Sequence, residues 1–279
     1  MIKLNKNILG ECMKKERADV LCVLQNLFDS REKAKRAIMA GTVYIGNIKV
    51  DKAGEKYKNT TIFNVKGNIL PYVSRGGFKL EKAIKLFSFS VENKVMLDIG
   101  ASTGGFTDCA LQNGAKYVYA LDVGTNQLAW KLRINDKVCV MEKTNFRHCT
   151  KSLFSKKIEV VSIDVSFISL TIILEKLTEI IEKNGDVCAL IKPQFEAGKI
   201  NVSKGGIVKS KKVHEDVIKK IFEFANSKGF SVKGLTHSPI KGGKGNIEFL
   251  IILKYTPNNV ENDKSLQFKE VVENAHNEL

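Results

Sequence analysis

Four charged residues stand at or beside the ends of apolar runs, where a solvated side chain is least expected. Lys192 directly follows Val187-Cys188-Ala189-Leu190-Ile191, and Pro193 after it stops a strand from continuing. Asp164 follows the run Ile158 to Ile163, Glu248 lies at the start of the run Ile247 to Leu253, and Lys79 lies in Ser74-Arg75-Gly76-Gly77-Phe78-Lys79-Leu80. Two lysines and two carboxylates suit proton transfer. A neutral lysine amine can take the proton of a weakly acidic hydroxyl, and carboxylates orient the ammonium that results. Burial and a second cation favour the neutral amine, whereas neighbouring carboxylates favour the charged one. Lys192 is the expected base, with Lys79 the alternative base or the group that positions the substrate.

A second constellation is Asp98-Ile99-Gly100-Ala101-Ser102-Thr103-Gly104-Gly105-Phe106. It follows an apolar run, where an α/β sheet meets a nucleotide-type ligand, and its glycines let backbone approach that ligand. The order departs from the dinucleotide fingerprint and lacks the Gly-Lys-Ser/Thr ending of a phosphate-binding loop. The carboxylate of Asp98 suits a cationic amino-acid group better than a pyrophosphate. Asp122, roughly 20 residues further on at the end of the next apolar run, is placed to accept hydrogen bonds from ribose hydroxyls. Together these residues resemble the S-adenosylmethionine site of class I methyltransferases. The resemblance implies cofactor contacts from Asp98, Gly100, Ala101, Ser102, Thr103, Gly104, Gly105, Phe106 and Asp122, and a second duty for Asp164 beside the methionine end. It also places Asn145 near the adenine, where that superfamily often carries an acid.

The elements that must hold these residues form a βαβ series. Val95 to Ile99, Tyr117 to Leu121, Val138 to Met141, Ile158 to Ile163 and Val187 to Ile191 read as buried strands. Helices are expected over Phe106 to Asn113 and Val213 to Ser227, late strands near Ser231-Val232-Lys233 and Ile247 to Leu253, and a polar tail over residues 257–279. This alternation predicts an α/β fold with a doubly wound parallel sheet covered on both faces. Strand ends converge on one crevice in such a fold, so Lys79, Asp164, Lys192 and Glu248 are expected to meet beside the glycine loop. Trp130 and Phe106 read as core or cofactor-wall groups. His148, His214, His237 and His276 lack the mutual spacing of a metal site.

The start of the chain has a different character. Residues 1–71 carry 14 Lys and Arg against 7 Asp and Glu, while the other 208 carry 31 against 23, so nearly half of the chain's net +15 sits in its first quarter. Such an excess favours a polyanionic partner, nucleic acid before an anionic membrane surface. Arg17 to Phe28 has helical spacing, with Leu21, Leu24 and Phe28 on one stripe. Asp29-Ser30 caps a second helix over Arg31 to Ala40, buried through Ala34 and Ile38 and stopped by Gly41. Thr42 to Val50 reads as a hairpin about Gly46-Asn47. This pattern, with Arg17-x-Asp19-x-Leu21 and the run Ser30-Arg31 to Gly41-x-Val43, resembles the S4 RNA-binding module over residues 13–70. The resemblance implies RNA contacts from Arg17, Arg31, Lys33, Lys35 and Arg36, joined by Arg75 of the following stretch.

Lys79, Asp164, Lys192 and Glu248 match, motif by motif, the Lys-Asp-Lys-Glu set of the FtsJ-like ribose 2′-O-methyltransferases. An S4-like domain over residues 13–70 before an FtsJ-like domain over 71–256 makes nearly the whole chain similar to the TlyA (haemolysin A) family. That resemblance implies S-adenosylmethionine-dependent 2′-O-methylation of cytidine in ribosomal RNA, with one or both ribosomal subunits as partner. Asn145 is the visible departure and leaves the four residues untouched. Two rival readings are a membrane-acting cytolysin and an RNA-binding protein with an inactive methyltransferase domain; the complete set of four disfavours the second. No apolar run approaches the ~20 residues of a membrane helix, and the first residues lack a signal-peptide core. A cytoplasmic protein without stable membrane association is expected. Cys12, Cys22, Cys109, Cys139, Cys149 and Cys188 show no paired spacing, so neither a disulfide framework nor a metal site is expected.

Overall fold

The computed structural model describes residues 14–39, 41–66 and 71–279. The chain divides into two compact units, the break falling between Pro71 and Tyr72. In the first unit β1 (Lys15–Arg17), α1 (Ala18–Leu24), α2 (Arg31–Met39), β2 (Val43–Ile45), β3 (Ile48–Lys49), β4 (Lys56–Lys58) and β5 (Asn64–Val65) follow in order. β1 pairs antiparallel with β4, while β2 pairs antiparallel with both β3 and β5. Ala18, Leu21, Cys22, Ala34, Ile38 and Val43 anchor the core between them. The expected stripe needs one correction: α1 ends at Leu24, which is exposed, and Ala18, Leu21 and Cys22 form its buried face. Gly41 has φ 72° and donates its N–H to the Ile38 carbonyl, the left-handed stop expected of a glycine there. The expected helix end at Ala40 lies outside the described residues, as do Cys12 and Met13.

The second unit runs α3 (Gly77–Leu86), β6 (Val95–Ile99), α4 (Gly105–Gln112), β7 (Tyr117–Leu121), α5 (Trp130–Arg133), β8 (Val138–Met141) and β9 (Ile158–Ile163). It continues with α6 (Leu170–Leu177), β10 (Ile181–Ile191), α7 (Pro193–Glu196), α8 (Lys211–Ser227), β11 (Phe230–His237), β12 (Phe249–Tyr255) and α9 (Phe268–Glu278). The strands form one seven-stranded sheet in the order β11-β12-β10-β9-β6-β7-β8. Val95, Leu97 and Ile99 pack on one face with Leu174, Ile218 and Val272, while Met96 packs on the other with Leu80, Phe106 and Cys109. Side chains of a strand alternate between faces, so both faces are covered.

Two features of this sheet set the site. The chain builds β6-β7-β8 in one direction and then returns to lay β9 on the other side of β6, which makes a switch point beyond the ends of β6 and β9. β12 runs antiparallel to both β10 and β11, a correction to the all-parallel expectation. The link from β11 to β12 is too short for a parallel crossover. Reversal brings the start of β12, where Glu248 stands, to the same edge as the ends of β9 and β10.

Residues 257–279 also need correction, since they do not remain a polar tail. Phe268, Val271, Val272 and Ala275 recur at helical spacing on α9, and Val272 and Ala275 are fully buried in the main core. His276 Nε2 lies 3.0 Å from His214 Nδ1 on α8 and adds a polar tie. Val272→Ala removes two buried methyl groups and is expected to destabilise the protein by about 2 kcal/mol. The check is a lower urea midpoint with an unchanged slope. Trp130, expected in the core or at the cofactor, is 68% exposed; α5 buries Leu132 instead.

Candidate active site

Each of the four charged residues reaches the crevice from a different element: Lys79 in the first turn of α3, Asp164 after β9, Lys192 after β10, and Glu248 before β12. Lys79 Nζ lies 3.0 Å from Asp164 Oδ2 and 2.9 Å from Glu248 Oε2. Lys192 Nζ lies 2.5 Å from Asp164 Oδ1 and 3.2 Å from Ser166 Oγ. The acidic and basic side chains therefore alternate, Glu248, Lys79, Asp164, Lys192, and the Asp164 carboxylate stands between the two lysine nitrogens. Gln194 Nε2 adds a hydrogen bond of 3.3 Å to the far oxygen of Glu248. The Asp164 side chain is only 18% exposed and the other three are more deeply buried.

Burial is the strongest single influence on Lys79 and pulls its pKa down, but Asp164 and Glu248 together outweigh it, and the net direction is up. Asp164 mirrors this: burial pushes its pKa up, while Lys79 and Lys192 more than offset that and hold it below the usual carboxylate value. Lys79 and Asp164 are thus held as an ion pair.

A cleft of about 370 Å³ is lined by these four residues together with Gly100, Ala101, Ser102, Thr103, Gly105 and Phe106. The loop presents backbone to the cleft. Gly100 has φ 87°, and a Cβ there would overlap the Asp164 carbonyl oxygen; a Cβ on Gly105 would overlap Ser74 Oγ. The glycines let the loop pack closely against Asp164 and Ser74, and the Asp164 carboxylate lines the same cavity. These residues fit S-adenosylmethionine, which needs a close backbone approach and carries a sulfonium.

The structure does not bring every expected cofactor residue to this cleft. Asp98 is fully buried beneath it, accepting from Thr107 N–H at 3.1 Å, Thr107 Oγ1 at 2.7 Å and Ser162 Oγ at 2.7 Å. Burial pushes its pKa up to about 6 despite those hydrogen bonds. It fastens β6 to α4 and β9 instead of meeting a ligand's amino group. Gly104 has φ 95° at the start of α4, where a Cβ would strike Leu132 and Leu128. Asp122 uses Oδ2 to accept the Ser102 N–H at 2.8 Å and Oδ1 to accept the Gly124 N–H at 2.7 Å. It shapes the loop directly. Asn145 caps a short turn by accepting the Arg147 N–H at 3.1 Å, away from the cleft lining.

Three features carried no expectation. Glu142 accepts the N–H groups of Asn126 at 2.9 Å and Gln127 at 3.1 Å and the Arg133 guanidinium at 2.5 Å. The Asn126 N–H is the chief cause that holds its pKa down at about 2. This acid, three residues before Asn145, organises the segment after β7. Phe167 is 90% exposed with φ 64°, its ring 5.0 Å from that of Phe195. An aromatic in that conformation next to Ser166 is an open stacking surface. Lys241 lines the cleft with Arg75, and both are exposed.

In the first unit Arg17 makes a bidentate pair with buried Asp19, at 2.9 Å through both Nε and a terminal nitrogen, and Arg31 reaches the same carboxylate at 3.4 Å. Lys33 pairs with Asp29. Lys35 and Arg36 stand exposed on α2, on the face away from Ala34 and Ile38. Among the described residues no cluster of three or more His, Cys, Asp or Glu could hold a metal ion, and no helix is long and apolar enough to cross a membrane.

With a glycine loop at the switch point of the sheet and four charged side chains lining the same cleft, the second unit is a class I methyltransferase of Rossmann-like fold. The profile of the FtsJ-like methyltransferases matches residues 72–255, and the chain belongs to that family. The YqxC protein of Bacillus subtilis is 56% identical over 270 residues, 95% of this chain and 96% of that protein. The 16S/23S rRNA (cytidine-2′-O)-methyltransferase TlyA of Mycobacterium tuberculosis is 35% identical over 94% of this chain and 97% of its own length. A solved structure from Streptococcus thermophilus, carried under a hemolysin name, superposes with a TM-score of 0.75 at 54% identity, covering 95% of this chain and 97% of that one.

Proposed function

We propose that this protein methylates the ribose 2′-hydroxyl of cytidine in ribosomal RNA, in one or both ribosomal subunits, with S-adenosylmethionine as donor. The observation that carries the reaction type is the alternating chain Glu248, Lys79, Asp164, Lys192 beside the glycine loop. The substrate rests on the relatives that carry the rRNA (cytidine-2′-O)-methyltransferase name.

The bound cofactor supplies a methyl group already activated by a sulfonium, so the protein's work is to place the hydroxyl and remove its proton. Lys192 takes that proton at Nζ. Lys79, fixed by Glu248 and Asp164, donates to the ribose oxygen and holds it in line. Asp164 stabilises the ammonium that forms on Lys192 and keeps the two lysines from repelling each other. Phe167 offers its ring to the target base.

The first unit, an S4-like module, supplies phosphate contacts, foremost from Lys35 and Arg36, because Arg17, Arg31 and Lys33 already face carboxylates. Lys35→Ala with Arg36→Ala is expected to weaken RNA binding and to make the slope of log affinity against log salt shallower by about 2, with cofactor affinity unchanged. Filter binding at several salt concentrations measures it.

The whole reading is tested by incubating separated ribosomal subunits that lack the modification with methyl-labelled S-adenosylmethionine, followed by alkaline hydrolysis. A 2′-O-methyl group removes the nucleophile that cleaves the next phosphodiester, so label is expected in an alkali-resistant dinucleotide containing cytidine. Label on a base, or none in either subunit from protein that binds the cofactor, overturns it.

A further inference from the structure

We infer that Ser166 is a positioning residue for methyl transfer, whose hydroxyl oxygen acts with Asp164 to aim the Lys192 amine into the cleft. The inference rests on the reading of Lys192 as the base. Nζ carries three positions besides its bond to Cε. Asp164 Oδ1 at 2.5 Å and Ser166 Oγ at 3.2 Å take two of them. The Phe195 ring centroid is 6.0 Å away and forms an apolar wall. A neutral amine keeps N–H bonds to both oxygens, and its lone pair then falls on the third position. Lys192, Ser166 and Asp164 all line the cleft, and the proposed role requires that position to face it. With Asp164 alone, rotation about Cε–Nζ leaves two places for the lone pair, one of them turned from the substrate.

The segment that carries Ser166 is fixed relative to Lys192. Phe167 turns the chain sharply at φ 64°, and Ser169 Oγ donates to Glu196 Oε2 at 2.7 Å. The Leu170 N–H reaches Glu196 Oε1 at 2.6 Å. Glu196 belongs to α7, the turn of helix that starts one residue after Lys192, so the loop after β9 and the end of β10 are clamped together. The clamp holds the Ser166 hydroxyl beside Asp164, and both touch Lys192 Nζ.

In the step itself the 2′-O–H bond gives its electron pair to the new O–CH₃ bond, the proton passes to the Nζ lone pair, and the S–CH₃ pair remains on sulfur. Misaiming the lone pair slows this step without changing what is bound. Ser166→Ala in the full chain is therefore expected to lower kcat about tenfold or more, with KM for ribosomal subunits and for S-adenosylmethionine changed by less than about twofold. Ser166→Thr keeps the oxygen and is expected to restore most of the rate. Cofactor titration by calorimetry confirms that both variants are folded. An alanine variant with wild-type kcat, a loss confined to KM, or a threonine variant no better than alanine overturns the role. If the wild-type protein places its label on a base, the ribose reading itself fails, and that result is separable from any behaviour of the variants.

Discussion

Lys192→Ala is expected to reduce kcat for methyl transfer by about a thousandfold while S-adenosylmethionine still binds. General base catalysis is worth on the order of 10² to 10⁴ in rate. Lys79, the nearest candidate, is held as an ammonium by Asp164 and Glu248. Alanine alone does not separate loss of a base from loss of a charge, because it also strips Asp164 of one partner. Lys192→Arg makes that separation. A guanidinium keeps the positive charge and can pair with Asp164, but it does not lose a proton in a protein. Single-turnover measurement on labelled ribosomal subunits is expected to find the arginine variant about as slow as the alanine one. An arginine variant within about tenfold of wild type would show that Lys192 works through its charge, and the base assignment would fall.

The same residues show what spacing in the sequence can and cannot convey. Strands β6 to β9 were legible because each is a short apolar run punctuated by Gly or Asp, and Lys192 stood out because a charge ends such a run before a proline. The first part of β10 was not, since Glu182, Lys183 and Asn184 interrupt it with polar residues at a bend where Asn184 has φ 64°. The short strands of the first unit, β1 and β4, pair Lys15 with Lys58 and Arg17 with Lys56, and so show no apolar alternation at all. α9 read as a tail because its buried stripe is narrow and most of its residues are polar.

At the site, residue types at strand ends were readable but their directions were not. Asp98 is instructive. The two-residue period that sends Val95, Leu97 and Ile99 into one core sends Met96 and Asp98 to the opposite face, beneath α4. A carboxylate two positions before the first glycine of the loop therefore lies under the cleft, and Thr107 and Ser162 rather than a ligand satisfy it. Asn145 was singled out for lacking a charge, although the acid that shapes the segment after β7 is Glu142, three residues earlier. Ser166 and Phe167 follow Asp164 by two and three residues, with nothing in their spacing that marks a role. Their function depends on a turn of the chain, and neither residue type betrays it.

Asp164→Asn is the second large effect expected, and it acts on stability and rate together. The carboxylate gives one oxygen to each lysine, at 3.0 Å and 2.5 Å. An amide has a single oxygen, so its NH₂ group must face one of the two lysine nitrogens, and that buried group loses its partner. Breaking a buried pair costs on the order of 3 kcal/mol, which a lower urea midpoint will show. The effect has a defined pH window. Asp164 titrates below its ordinary value, so its contribution is present above the unfolded carboxylate pKa and is lost as pH falls through the depressed one. Lys79 titrates above its ordinary value, so its share is fully present below the unfolded lysine pKa and is lost as pH rises through the elevated one. The wild-type advantage over Asp164→Asn is therefore expected to be broad and flat through neutral pH and to vanish in acid. On the rate, the variant leaves Lys79 tied to Glu248 alone and removes the anion that stabilises the ammonium forming on Lys192, for an expected loss of about a hundredfold or more in kcat. A variant as stable as wild type at pH 7, with undiminished kcat, would mean that the two lysines do not depend on this carboxylate, and the alternating chain of charges would lose its mechanistic meaning.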